Sequence, residues 1–201
     1  MILIIAGFFT RSCFEDTYYG ELKVLYQNLR ETKGKKIVVI GNSNIAFGVD
    51  SELMEAEGKA AGLDYHVVNF GLYGTIGSKA MLDIAYDSIG EGDLVIFAPE
   101  PETLAYSLYF NGQEIWRAAD SCFDLALAAS KKNLGSMAGS YLAYVQDKFP
   151  YLLSGQMASA SGIYAKTSFN EQGVMTASRP TNKMADGYDA NNLVAYDETL
   201  L

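Results

Sequence analysis

Few side chains in this sequence are equipped for chemistry. Ser43 stands in the run Gly41-Asn42-Ser43-Asn44, directly after the β-branched residues Ile37-Val38-Val39-Ile40. A serine hydroxyl becomes a nucleophile only when a base takes its proton and fixed donors receive the charge on the attacked oxygen. A glycine-bounded turn after a strand can aim such a hydroxyl and nearby backbone N–H groups at one point. The plainer reading is a turn or helix-capping serine, with Asn42 and Asn44 either contacting a substrate or satisfying the turn. Glu100 and Glu102, interleaved with Pro99 and Pro101, follow another apolar run. An ionised carboxylate beside a developing oxyanion opposes it, so these two read as contacts for sugar hydroxyls or as solvated charges. The chain has one histidine, His66, and two cysteines, Cys13 and Cys122. Mechanisms needing several histidines are therefore excluded, as are zinc sites built from four cysteines or from two cysteines and two histidines. No metal or cofactor is expected, and one disulfide between the two thiols stays open.

Charge narrows the partners. Against 24 Asp and Glu there are 15 Lys and Arg, a net −9, and the basic residues come in isolated pairs such as Lys35-Lys36 and Lys131-Lys132. Nucleic-acid binders cluster such residues to neutralise phosphates, so no nucleic-acid partner is expected. The turn Gly41–Gly48 is neither GxGxxG nor GxxxxGK[ST], and no lysine follows it to reach a phosphate. With 49% hydrophobic and 19% charged residues over 201 positions, the chain can bury the core of a single domain. Its 14 Tyr, 10 Phe and one Trp suit a carbohydrate or apolar groove, although aromatics mostly fill cores.

The elements that must position Ser43 follow from periodicity. Tyr18, Leu22, Val24, Leu25 and Leu29 recur at helical spacing and predict a helix ending near Gly34. The run 37–40 is of the kind found in a parallel strand buried on both faces. Asp50-Ser51 offers a cap for a second helix, His66–Phe70 reads as a second strand, Met81, Ile84, Ala85 and Ile89 mark a third helix, and Leu94–Phe97 a third strand. Strand, helix, strand, helix, strand predicts a three-layer α/β/α fold on a parallel sheet. Ligands of such sheets sit beyond the strands' carboxyl ends, here the segments 41–48, 69–77 and 98–102.

On these residues a resemblance becomes visible. Ile37–Ser51, with Gly41, one residue and then Ser43, resembles the first block of the SGNH (GDSL-type) hydrolase superfamily. Val67–Gly77 resembles its second block. Residues 35–102 with their neighbours are most similar to membrane-anchored SGNH-like proteins of polysaccharide acylation or export, over roughly residues 15–120. The resemblance implies an SGNH or flavodoxin-like fold with a helical insertion after the third strand, Ser43 as nucleophile, and Gly74 as oxyanion donor with Gly71 as the alternative. It further implies an acylated carbohydrate or small ester as substrate, a membrane partner and an extracytoplasmic location. Two departures stand out. The third block offers Glu100 or Glu102 where the family usually has Asn, and the closing Asp-x-x-His has no counterpart. His66 opens the second strand, at the end opposite the catalytic loops. Either the chain is truncated before its histidine or it is a degenerate member that binds without hydrolysing.

Outside this half, residues 1–9 form an apolar run too short to span a bilayer. Segment 1–14 reads as the trailing part of a signal anchor or as a buried element, and residues 15–201 as one domain. Beyond residue 102, helices are expected with breaks at Asn111-Gly112 and Asn133–Gly135. Trp116, Ala119, Phe123 and Leu127 make one apolar stripe, and Met137, Tyr141, Tyr144 and Val145 another, both expected in the core. Tyr106, Tyr109, Phe110 and Trp116 fall near the third loop and are candidates to line an acyl or sugar pocket. From Asn170 onward a long surface loop is expected.

Overall fold

A computed structural model describes residues 7–99 and 110–176. The first long helix, α1, spans Tyr18–Glu31; the Thr17 side chain accepts from the Tyr19 N–H at its start, and the Thr32 N–H returns to the Asn28 carbonyl at its end. Leu22, Leu25 and Leu29 are buried, as their spacing predicts, while Tyr18 and Val24 are half-buried.

Three strands follow, β1 (Lys36–Gly41), β2 (His66–Gly71) and β3 (Leu94–Ala98). They make an all-parallel open sheet in the order β2-β1-β3. The register pairs Gly41 with both Gly71 and Ala98, so the three strands end at one level and their following turns gather there. Short helices α2 (Ser43–Gly48) and α3 (Ser51–Ala60) connect β1 to β2, and α4 (Ser78–Ala85) connects β2 to β3. The expected cap at Asp50 is present, its carboxylate accepting from the Leu53 N–H. Met81, Ile84 and Ala85 of α4 face the core.

β3 departs from expectation. Its apolar run resembles that of β1, yet Leu94–Phe97 are 37–50% exposed, whereas Val38, Val39 and Ile40 are buried. Being an edge is not the reason, since β2 is the other edge and buries Val68 and Phe70; among the described residues, helices pack on β1 and β2 but leave the faces of β3 largely uncovered.

The helical half consists of α5 (Gly112–Ala119) and α6 (Phe123–Ser154). The expected break at Asn111-Gly112 is the start of α5, where Asn111 accepts from the Glu114 N–H. At Asn133 the backbone leaves helical geometry (φ −132°, ψ 33°), but α6 continues through it as a kink, not the expected full break. The Asn133 amide there donates to Asp83 at 2.7 Å and accepts from Lys79 at 2.8 Å. Between α5 and α6 lies an unforeseen break, with Ser121 at φ 62°. It splits the stripe expected from Trp116 to Leu127. Ala119 is buried, while Phe123 and Leu127 are 61% and 48% exposed, because the chain changes direction between them. In the second stripe Met137, Tyr144 and Val145 are buried, and Tyr141 is half-buried against the core.

A polar centre holds the N-terminal segment to this half. Asp120 receives the Lys148 ammonium (2.5 Å), the Tyr144 hydroxyl (2.6 Å), the Cys13 and Phe14 N–H groups (2.5 and 3.1 Å) and the Ser12 hydroxyl (3.1 Å). Lys148 and Asp120 are both buried, which is tolerable only because the carboxylate is so fully hydrogen-bonded. Burial first, then the Asp120 charge, holds the Tyr144 phenol far above its ordinary pKa. Cys13 and Cys122 are free thiols.

Candidate functional site

The site is built where β1 and β2 end. Gly41 and Gly71, paired across the two strands, have no side chains for a packing reason. A Cβ on Gly41 would meet the Ala98 carbonyl oxygen at 2.5 Å, and one on Gly71 would meet Ile45 Cβ at 2.5 Å and the Ala46 nitrogen at 3.0 Å. Ile45 of α2 therefore sits directly on both strand ends, and this close approach brings Ser43, the first residue of α2, to the sheet's carboxyl edge. The segment read from sequence as a plain turn, 41–48, is thus mostly a one-and-a-half-turn helix.

Two asparagines fasten this corner. Asn44 donates from its amide to the Ala98 carbonyl (2.9 Å) and accepts from the Asn42 N–H (3.1 Å), tying the turn to the end of β3. Asn69, buried near the end of β2, accepts from the Gly71 N–H (3.0 Å) and donates to the Val49 carbonyl (3.2 Å). The Asn69 role was not foreseen, although an asparagine interrupting an apolar strand is a signal that could have prompted it. The Gly71 N–H is thereby committed to Asn69.

Asn42 is different. It is fully buried, its carbonyl accepts from the Ile45 and Ala46 N–H groups, and among the described residues neither end of its side-chain amide finds a partner. Leaving a buried polar group unpaired costs about 1–3 kcal/mol. Such a group behind Ser43 marks a point where a ligand or another part of the chain has hydrogen bonds to make.

Gly74 opens a single 3₁₀ turn, Gly74–Ile76, three residues beyond the end of β2 and half-exposed. Phe47 lies one helical turn after Ser43, on the same side of α2. Its ring meets Tyr73 edge-on at 5.2 Å, and Tyr73 in turn approaches Tyr18 at 4.3 Å and Tyr164 at 5.3 Å. The Tyr73 hydroxyl donates to the Ile163 carbonyl, fixing the ring, while Tyr164 is half exposed. This aromatic row beside the Ser43 turn escaped sequence reasoning, since its members are scattered over 146 positions from Tyr18 to Tyr164. Glu100, Glu102, Tyr106 and Tyr109 lie outside the described residues.

His66 occupies the first position of β2, at the other end of the sheet from Ser43. Its Nδ1 lies 3.1 Å from Glu55, whose second oxygen accepts from the Val67 N–H at 2.8 Å. Burial opposes ionisation of Glu55, but hydrogen bonds from Lys59, the Val67 N–H and His66 outweigh it and hold the carboxyl below its ordinary value. A cleft of about 600 Å³ opens at that end, lined by Ser51, Glu55, His66 and Glu171 among others, away from Ser43. Among the described residues no group of three or more histidine, cysteine or carboxylate side chains is placed to hold a metal ion. Nor is any described helix long and apolar enough to cross a membrane. The chain matches no protein-family model, no curated protein and no solved structure.

Proposed function

We propose that this chain is an SGNH-like serine esterase or O-acyltransferase acting on acyl groups of a cell-surface carbohydrate, with Ser43 as nucleophile and Gly74 as an oxyanion donor. The observation that carries the reading is the strand-end corner. Ser43 heads α2 at the carboxyl edge of a parallel sheet, over a buried Asn42 amide with unmet hydrogen bonds. Ligands of parallel α/β sheets bind at this edge. Asn42 and Asn44 flank the nucleophile, and Gly74 opens the 3₁₀ turn that follows β2 on the same side of the sheet. Phe47 and Tyr164, partly exposed on either side of the buried Tyr73, offer apolar ring surface of the kind that packs against sugar rings. On this reading the sheet is the start of a three-layer SGNH-type domain, outside the cytoplasmic membrane and anchored through the segment before residue 15.

A second reading has its own support. The single imidazole of these 201 residues is engaged with Glu55 at the far end of β2, away from Ser43. That favours a non-catalytic module that binds glycan or a membrane partner during polysaccharide assembly. A serine-directed fluorophosphonate separates the two. Labelling of the folded chain that disappears in Ser43→Ala supports the esterase or acyltransferase; a folded chain that takes no label leaves the binding module.

A further inference from the structure

A small hairpin lies over a buried carboxylic acid. Phe169 and Met175 pair antiparallel, and between them the Asn170 side-chain oxygen accepts from the Gln172 and Val174 N–H groups (3.1 and 2.9 Å), while the Gly173 N–H returns to the Asn170 carbonyl (3.0 Å). The hairpin crosses two helices as a strap. The Asn28 amide of α1 donates to the Glu171 carbonyl (2.9 Å), and the Asn170 amide donates to Glu52 of α3 (3.1 Å). Both bonds are exposed, so they hold the strap lightly. Glu171 and Gln172, at its tip, line the cleft of about 600 Å³ that contains His66 and Glu55.

Beneath the tip is Glu21 of α1. Gly173, at φ 77°, sits flush on that helix: a Cβ there would run into Leu25 Cδ2 and stand 3.5 Å from Glu21 Oε1. Glu21 is 2% exposed, and its Oε1 has no hydrogen-bond partner among the described residues. Lys166, in the 3₁₀ turn Lys166–Ser168 before the strap, favours its charge but also lies 3.7 Å from Glu15. Glu171 on the strap is exposed, and Glu114 and Arg117 of α5 engage each other and Tyr19. A carboxyl so placed is accommodated as its neutral acid, whereas the anion needs water that the docked glycine keeps away. We propose that the hairpin 169–175 is a proton-latched strap: it stays docked on α1 while Glu21 keeps its proton, and loss of that proton to solvent releases it and removes one wall of the His66 cleft. The latch is independent of the chemistry at Ser43. Docked, the carboxyl keeps its proton up to about pH 8; undocked and hydrated, it gives the proton up near an ordinary 4.5. Undocking is therefore favoured roughly tenfold more for each pH unit between those values, on the order of a thousandfold over the window. Outside the window both states carry the same number of protons, and the pH dependence ends.

Amide hydrogen exchange of the full chain from pH 5 to pH 8, corrected for the intrinsic rate, reads the latch at the Gly173 and Val174 N–H groups. A two-stranded hairpin does not hold its hydrogen bonds once lifted into water, so undocking lets these amides exchange. Their protection in wild type, divided by that in Glu21→Gln, should fall roughly tenfold per pH unit. At each pH it should also lie at least about tenfold below the protection of Val39 and Ile40 in β1, because the strap opens while the sheet stays folded. Gly173→Ala, whose methyl cannot be seated on Leu25, should leave the strap weakly protected at every pH, with no pH trend, on a sheet that stays protected. A ratio that stays flat across the window overturns the proposal. Strap and β1 amides with matching protection overturn it too, since the hairpin would then open only with the whole domain. Wild-type strap protection in Gly173→Ala would show that the glycine contact is not the seat of the latch, and overturns it likewise.

Discussion

Glu21 gives the chain a pH dependence that can be worked from its surroundings. It lies in the first turn of α1 and is almost wholly buried, and its Oε1 has no hydrogen-bond partner among the described residues. Leu25 and Gly173 lie close by, and a Cβ on Gly173 would stand 3.5 Å from Oε1. The one charge that favours its ionisation, Lys166, also lies 3.7 Å from Glu15. Burial therefore prevails and pushes the Glu21 carboxyl up to about 8, from an ordinary 4.5. Between those two values the folded state holds a proton that the unfolded state has released, so stability falls as pH rises through the window and levels off above about 8. At about 1.4 kcal/mol per pH unit, the full loss is on the order of 5 kcal/mol, comparable with the entire stability of many domains. Glu21→Gln removes the titration while keeping the shape. In urea unfolding followed by Trp116 fluorescence, the stability of Glu21→Gln relative to wild type should climb by roughly 1 kcal/mol per unit from about pH 5 to pH 8, then plateau. Groups that titrate equally in both proteins cancel in that difference. A difference that stays flat across the window would refute the claim that this carboxyl is folded in as its neutral acid.

Other expectations follow from particular contacts. Gly71→Ala should drive its new methyl into Ile45 Cβ and the Ala46 nitrogen, costing about 1–3 kcal/mol in thermal unfolding and lowering fluorophosphonate labelling at Ser43, with Gly71→Ala/Ile45→Ala recovering part of both. Lys148→Met should cost about 3–5 kcal/mol in denaturant unfolding by leaving Asp120 charged and buried, and a second change of Asp120 to Leu should cost less than the two separate effects summed. At Asp93, burial opposes ionisation but N–H groups of Gly90 and Lys36 and the Lys36 ammonium at 3.2 Å outweigh it, holding the carboxyl below its ordinary 3.8. Its contribution is therefore present above that value and lost as pH falls through the depressed one, so the deficit of Asp93→Asn against wild type should be larger at pH 7 than near pH 2.

Much of the α/β half was legible from local pattern. The three apolar runs became the three strands, Asp50 capped its helix, and His66 opened β2 away from the site, because strand runs, caps and turns are decided by residues a few positions apart. Ser43 could be singled out for the same reason. What the pattern could not supply was the environment of each element. Leu94–Phe97 and Ile37–Ile40 are near-equivalent as sequence, yet the described helices cover the faces of β1 and β2 and leave those of β3 largely open, since burial depends on which neighbours the topology provides. The stripe from Trp116 to Leu127 failed because periodicity assumes a continuous helix, and the turn at Ser121 rotates its second half out to solvent.

The sequence by itself determined the chemical inventory: one serine in a glycine–asparagine turn, a single histidine, an acidic surface and an apolar start. Tertiary structure alone decided how that inventory is used. Packing of Ile45 on Gly41 and Gly71 carries Ser43 to the sheet edge, and folding draws Phe47, Tyr73 and Tyr164 into one row. It buries Asp120 with Lys148, and Glu21 without a partner for one of its oxygens. Each of these depends on residues distant in the chain becoming neighbours, and desolvation and close packing act on neighbours in space, whatever their separation in sequence.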